Sequence, residues 1–208
     1  MGSDLFGEQY IDALVALGVV RSYPKNTVLT QEGDASDQLY VLLAGKLKMF
    51  LADDDGKEIV VDMLSPRQYF GEMALDGASR SASVMTIEAS KLAVIQRDHF
   101  KRFLAENPEA AFTLIVTLIR RARNLTRTIG NLALLDVYGR VARLLIDNAS
   151  DESGQLVVTE KMSQQEIAQR IGSSREMVSR ILSDLKEGGY VAIESGRIVI
   201  RQNLPKHW

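Results

Sequence analysis

The spacing of apolar positions changes period along the chain. Between about residues 21 and 96, short alternating or β-branched runs are separated by Gly and Asp clusters, the pattern of short strands. Residues 27–30, 39–43, 47–51, 59–63 and 91–95 are the predicted strands. Gly33, Gly45 and Gly56 punctuate this region at intervals of 12 and 11 residues, and Asp53-Asp54-Asp55-Gly56 reads as a hairpin tip. Many short strands at near-regular spacing predict a sandwich, barrel or roll. Short helices are expected on either side, over residues 9–17 and 97–104.

The period then becomes helical. Asn107-Pro108-Glu109 carries an Asn cap, Pro at the first helical position and an acid in the first turn. Apolar residues follow at Ala111, Ile115, Leu118, Ala122, Leu125, Ile129 and Leu132, alternating by 4 and 3. An ordinary amphipathic helix packed on its own domain is one reading. A heptad seam sustained over about 40 Å of helix fits a coiled-coil dimer interface better. The other faces carry Arg120, Arg121, Arg123 and Arg127. Asp136 caps a further helix to about residue 148, and the polar residues 148–154 read as a loop. The expected domains are 1–107, a linking helix and hinge over 108–135, and 136–208.

In the last domain Ser163 and Glu166 form a capping-box pattern opening a short helix, with Ile167, Ala168 and Ile171 as its buried face. Gly172-Ser173 makes a turn, Ser174 caps a second helix from Arg175, and Gly188-Gly189 ends it in a left-handed conformation. A two-residue turn at Ser195-Gly196 then joins two strand-like runs. Helix-turn-helix plus hairpin is a winged helix. Wound at its helical period, the second helix places Val178, Ile181, Leu182 and Leu185 on a core face. Arg175, Glu176, Ser179, Arg180 and Ser183 fall on the opposite face. Alone, that face is a solvated charge ladder. As the second helix of a helix-turn-helix it suits base reading, because arginine forks match guanine O6 and N7 and a carboxylate accepts from cytosine N4. Ser163, Gln165 and Ser174, at the two helix N-termini, suit phosphate contacts as well as capping.

Composition narrows the chemistry. The 208 residues are 46% apolar and 25% charged, with two histidines and no cysteine, which excludes disulfides, thiolate metal sites, iron–sulfur clusters and cysteine nucleophiles. No apolar run approaches membrane-spanning length, and no signal-peptide pattern is present, so a cytoplasmic protein without a membrane partner is expected. The net charge of −2 conceals a partition. Residues 1–107 carry 11 basic and 16 acidic groups, 108–135 carry 4 and 1, and 136–208 carry 10 and 10. DNA affinity would therefore depend on where a few arginines sit.

The strand-rich region has one candidate binding stretch, Phe70-Gly71-Glu72-Met73-Ala74 followed by Ser79-Arg80-Ser81-Ala82. Gly71 permits close backbone approach, Arg80 is a bidentate phosphate donor, Ser81 adds a hydroxyl, and Glu72 can accept from a sugar hydroxyl. A Glu and an Arg eight residues apart are also commonly a surface ion pair. Hydrolysis of a phosphodiester is not expected, since no His/Asp metal cluster and no base beside a nucleophile is present.

Three stretches in this order resemble the CRP/FNR superfamily of bacterial transcription regulators, in its cAMP receptor protein branch. They are Phe70–Ala74 with Arg80-Ser81-Ala82; Gly130-Asn131-Leu132-Ala133 running into Leu135-Asp136-Val137; and Ser174-Arg175-Glu176 with Arg180-Ile181-Leu182. The resemblance covers nearly the whole chain. It implies an α+β architecture: an N-terminal cyclic-nucleotide-binding β-roll (jelly-roll-like), a long dimerisation helix and a C-terminal winged helix-turn-helix. It further implies a ligand site of Gly71, Glu72, Met73, Ala74, Arg80, Ser81 and Thr126, and DNA contacts by Arg175, Glu176, Arg180, Ser179, Ser163, Gln165 and Ser174. The implied partners are double-stranded DNA with TGTGA-like half-sites, a second copy of the chain and RNA polymerase; no metal and no catalysis are implied. cAMP is the first effector implied. Two departures bear on the base: Leu125 and Thr126 stand where the family pattern has two hydroxyl residues, and Asp62 stands where it has a small hydroxyl residue. These keep another cyclic nucleotide, including cyclic di-GMP, or ligand-independent DNA binding, as alternatives.

Overall fold

The computed structural model describes residues 8–204 apart from Ser36, Lys57, Ser153 and Ser195. Ser195 of the expected hairpin turn, His207 and the first three residues lie outside the described residues. Contacts divide the chain into two units, one ending at Asn124 and one beginning at Leu125.

The first unit starts with α1 (Glu8–Ala16) and continues through β1 (Val19–Tyr23), β2 (Val28–Thr30), β3 (Gln38–Ala44), β4 (Leu47–Ala52), β5 (Glu58–Leu64) and β6 (Tyr69–Phe70). A 3-10 turn, Glu72–Asp76, precedes β7 (Ser83–Thr86), β8 (Ser90–Gln96), α2 (Arg97–Glu106) and α3 (Pro108–Leu134). The strands form two antiparallel sheets, ordered β1-β8-β3-β6 and β2-β7-β4-β5. Side-chain alternation on the strands separates two core layers. Leu39, Val41, Tyr69, Ala93 and Ile95 face α1, α2 and α3 through Ile11, Leu14, Phe100, Phe103, Ala110 and Leu114. Their neighbours Tyr40, Leu42, Phe70, Leu92 and Val94 face Leu47, Leu64 and Val84 of the other sheet.

The five sequence-predicted strands are present, each shifted or extended by a residue or so. The short strands β1, β6 and β7 were not expected, because two to five residues carry too few alternations to reveal a period. The expected Asn107 cap takes another form: its side-chain amide donates to the Phe103 carbonyl at 2.8 Å, satisfying the end of α2 rather than the start of α3.

The second unit contains α4 (Val137–Asp147), β9 (Ala149–Glu152), β10 (Gln155–Val158), α5 (Gln164–Ile171), α6 (Arg175–Glu187), β11 (Val191–Glu194) and β12 (Arg197–Ile200). Asp136 caps α4 by accepting from the Gly139 N–H at 2.7 Å. The expected loop over 148–154 is a correction: residues 149–152 form an antiparallel strand with β10, which continues into a four-stranded sheet ordered β11-β12-β10-β9. The strand sequence is polar because three of its four positions pack little apolar surface, so alternation could not announce it. The left-handed residue after α6 is Gly189, with φ of 71°, whereas Gly188 stays helical. The core joins Tyr138, Val141 and Leu145 of α4 to Ile167, Ala168 and Ile171 of α5 and Val178, Ile181 and Leu185 of α6. Arg140 donates to the Ile171 carbonyl at 2.8 Å, and Arg170 forms a two-pronged pair with Glu160 at 2.9 Å on both arms, both contacts holding the C-terminal turn of α5.

Candidate ligand and DNA sites

Gly71 ends β6 and opens the 3-10 turn in a left-handed conformation, φ 88°. A Cβ there would sit 2.5 Å from Arg80 Nη1 and 2.7 Å from the Gln38 carbonyl, so glycine is required by backbone and by space. Arg80 is 9% exposed. It donates to the Gln38 carbonyl at 2.9 Å and lies 5.6 Å above the Tyr40 ring, which itself stacks on Phe70 at 4.7 Å. Its backbone is fixed to the 33–34 turn by hydrogen bonds of 2.8 and 2.9 Å. Burial holds the guanidinium below its ordinary value, opposed first by Tyr40 and then by the acids Asp37, Glu72 and Asp34. Among the described residues no carboxylate ion-pairs with it. A buried cation without a counter-ion is costly unless an anion is supplied.

Glu72, Met73 and Ala74 follow in the 3-10 turn, with Glu72 and Ala74 buried and Met73 exposed. Ser81 is exposed, and its hydroxyl donates to Met73 Sδ at 3.2 Å. The structure therefore brings Gly71, Glu72, Met73, Ala74, Arg80 and Ser81 to one corner of the roll. Thr126 is exposed on α3 beyond Asn124 and belongs to the second unit.

Sequence reasoning missed the partner of Glu72. Arg121 of α3 donates to Glu72 Oε1 at 2.6 Å and to the Tyr69 carbonyl at 3.1 Å, with its guanidinium 4.9 Å from the centre of the Tyr69 ring. The available signal was its helical phase: Ala110, Leu114 and Thr117 are the buried residues of α3, and Arg121 continues their row at the 3–4 spacing. The opposite side of α3 leaves Ile115, Leu118, Ala122, Leu125 and Ile129 exposed, Ile129 at 66%.

In the second unit, Ser163 and Glu166 complete a capping box at 2.7 and 3.2 Å. Ser174 caps α6 by accepting from the Met177 N–H at 3.2 Å. Arg175, Glu176, Ser179, Arg180 and Ser183 are exposed together, while Val178, Ile181 and Leu185 are buried; Leu182, expected in the core, is half-buried. With Gln164 and Asp184 these exposed residues line a shallow open depression. Gln165 is exposed on the first turn of α5. The Glu176 carboxyl is held below its usual value by its own backbone N–H, then by the Ser174 hydroxyl.

Residues 20–107 match the cyclic nucleotide-binding domain family and residues 139–203 the Crp-like helix-turn-helix domain family. A CRP-like cAMP-activated global transcriptional regulator of Mycobacterium tuberculosis is 33% identical over 183 residues, covering 86% of this chain and 82% of that protein. The chain belongs to the CRP/FNR family of transcription regulators. The cAMP-activated global transcriptional regulator Vfr of Pseudomonas aeruginosa is 32% identical over 200 residues, covering 92% of this chain and 94% of that one. Among solved structures, the cyclic di-GMP responsive global regulator CLP of Xanthomonas campestris superposes with a TM-score of 0.78. It is 25% identical and covers 94% of this chain and 100% of that one. This CRP/FNR protein thus has the expected architecture of antiparallel roll, long helix and helix-turn-helix. Its family is one of regulators and not of enzymes.

Proposed function

We propose that the protein is a homodimeric transcription regulator of the bacterial cytoplasm that binds TGTGA-like palindromes under control of a 3′,5′-cyclic nucleotide. The observation that carries the reading is Arg80: a buried guanidinium with no carboxylate partner among the described residues, beside a Gly71 that has no room for a side chain. That arrangement suits one phosphate anion held at close range by backbone and fork. Glu72, buried beside it, suits a ribose hydroxyl, and Ser81 a phosphate oxygen. A single buried guanidinium favours a cyclic mononucleotide, the class of the cAMP for which the Mycobacterium and Pseudomonas relatives are named, over the two phosphates of cyclic di-GMP. Leu125 and Asp62, with the Xanthomonas likeness, are what favour the second reading.

The exposed apolar row of α3 supports pairing of two copies, since a contiguous apolar face of this length is costly to leave in water. Two recognition helices would then address half-sites about 34 Å apart. Nucleotide bound at Glu72 competes for the carboxylate that Arg121 now holds, and so bears on the helix that pairs. Thr126 and the polymerase contact are part of the same proposal. The test is DNA binding by the full chain to a TGTGA palindrome and to a scrambled duplex, with and without cyclic nucleotide. Nucleotide-dependent preference for the palindrome is expected; equal affinity for both duplexes under all conditions overturns the reading.

A further inference from the structure

Arg80 enters the ligand corner from the loop before β7, yet a strand aims its guanidinium. That strand, β3, is paired on both sides, with Tyr40 opposite Val94 of β8 and opposite Phe70 of β6. Tyr40 is 7% exposed, and its ring stacks on the Phe70 ring with 4° between the planes and 4.7 Å between the centroids. Its hydroxyl donates to Oε1 of Gln38 at 2.8 Å, two positions back on the same face of the strand. The Gln38 carbonyl in turn accepts from Arg80 Nη2 at 2.9 Å, and the guanidinium carbon stands over the Tyr40 ring, 5.6 Å from its centroid. Burial, opposed by Arg80, holds the Tyr40 hydroxyl above its ordinary value, so the ring facing the cation belongs to a neutral phenol.

These contacts leave Arg80 little freedom. Nη2 is engaged by Gln38, one face of the guanidinium lies towards Tyr40, and Nη1 is directed at Gly71, where a side chain would stand 2.5 Å away. A long side chain loses rotamer freedom when it grips an anion, and one already held loses less. The face of an aromatic ring also carries negative potential, which replaces part of the hydration that a buried cation has given up. We infer that Tyr40 is a positioning residue for nucleotide binding: its ring, backed by Phe70, holds the Arg80 guanidinium in the orientation that receives one exocyclic oxygen of the cyclic phosphate. The inference rests on the cyclic-nucleotide reading and adds a residue that acts through Arg80. It has a stereochemical consequence. A guanidinium fixed on one side addresses the two exocyclic oxygens unequally, so exchanging one of them for sulfur, a weak acceptor, costs more than exchanging the other.

The experiment is calorimetry of the full chain with cyclic AMP, cyclic GMP and the Sp and Rp phosphorothioates of each. The proteins are wild type, Tyr40→Phe, Tyr40→Leu, Arg80→Ala and a chain carrying a trifluorinated phenylalanine at position 40. Wild type is expected to separate the two phosphorothioates. Tyr40→Phe keeps the ring face and stays within about threefold of wild type, since it gives up only the hydrogen bond to Gln38. Tyr40→Leu removes the face, and is expected to bind nucleotide about tenfold more weakly and to bring the two phosphorothioates to equal affinity. The fluorinated ring keeps the size and the stack on Phe70 but withdraws electron density from the face that meets the cation. Its affinity is expected to fall about threefold below that of Tyr40→Phe, with thermal unfolding of the unliganded protein unchanged. That comparison decides the matter even where Tyr40→Leu does not fold. Equal binding of Sp and Rp by wild type overturns the inference. So does an Sp/Rp ratio in Tyr40→Leu equal to that of wild type, or a fluorinated chain that binds as tightly as Tyr40→Phe, either of which would make Tyr40 a core residue only. Failure of the underlying reading looks different: no cyclic nucleotide binds, or Arg80→Ala binds as well as wild type.

Discussion

Arg121 Nη1 lies 2.6 Å from Glu72 Oε1, joining α3 to the turn that carries the proposed ribose acceptor. Glu72 is almost wholly buried and Arg121 is one-fifth exposed, so the pair is only slightly screened by water. Removing one partner leaves the other charge buried, whereas the intact pair is close to neutral in net stability. Arg121→Met is expected to lower unfolding free energy by about 3 kcal/mol, and Glu72→Gln with Arg121→Met together by clearly less than the sum. Urea denaturation of the four proteins measures the cycle; additive losses would show that the two residues do not act as a pair.

Gly71→Ala places a methyl group 2.5 Å from Arg80 Nη1 on a backbone with φ of 88°. The guanidinium must swing away from the Gln38 carbonyl, so nucleotide affinity is expected to fall at least about tenfold while the strain costs about 1–3 kcal/mol. Calorimetry and thermal unfolding on the same sample separate the two effects. Unchanged affinity would show that Arg80 does not need its present position.

Leu125 and Ile129 are 48% and 66% exposed on the apolar row of α3. Placing a carboxylate at both positions in each of two paired helices brings like charges together in the seam. Ile129→Glu with Leu125→Glu is expected to give a folded monomer by sedimentation, with palindrome affinity reduced to that for a single half-site. A dimer of unchanged strength would move the pairing surface away from this row.

On α6, Arg175→Ala is expected to cost about 1–3 kcal/mol on the palindrome and to relax discrimination at one guanine, the signature of a base contact. Equal losses on palindromic and random duplexes, measured by fluorescence anisotropy at fixed salt, would instead assign Arg175 to the phosphate backbone.

Glu176 titrates below its ordinary value of 4.5 because its own N–H and the Ser174 hydroxyl favour the carboxylate. A depressed acid contributes stability that is present above the unfolded value and is lost as pH falls through the folded one. The α6 N-terminus should therefore be insensitive to pH at neutrality and weaken only below about pH 4.5. Ser174→Ala is expected to move the Glu176 midpoint upward in an NMR titration and to cost about 1 kcal/mol through the lost cap. A midpoint that stays put would remove the serine from this role.

Local pattern and tertiary juxtaposition divided the information. Heptad spacing, the Asp136, Ser163 and Ser174 caps, and the phase of Arg175, Glu176 and Arg180 on α6 were all legible, because each is decided within a turn or two of helix. Phe70–Ala74 and Arg80-Ser81 could be named as binding residues, but not distinguished from a surface ion pair by spacing alone. The structure separates the two readings. Glu72 pairs with Arg121, 49 positions away, and Arg80 pairs with no carboxylate among the described residues.

Polar β9, the two-residue β6 and the amide of Asn107 were misread or missed because their stabilising partners lie on other elements. A strand of low apolar content exists only by hydrogen bonding to its neighbour, and such bonds leave no periodic trace in the chain. The sequence by itself determined the helix and strand grammar and the exposed polar face of α6, which follow from backbone periods and caps, and its motifs carried the family. Only the tertiary structure decided that Arg80 stands buried with no carboxylate partner among the described residues, and that Arg121 holds Glu72. Charge burial and cross-strand register are properties of elements brought together from distant parts of the chain.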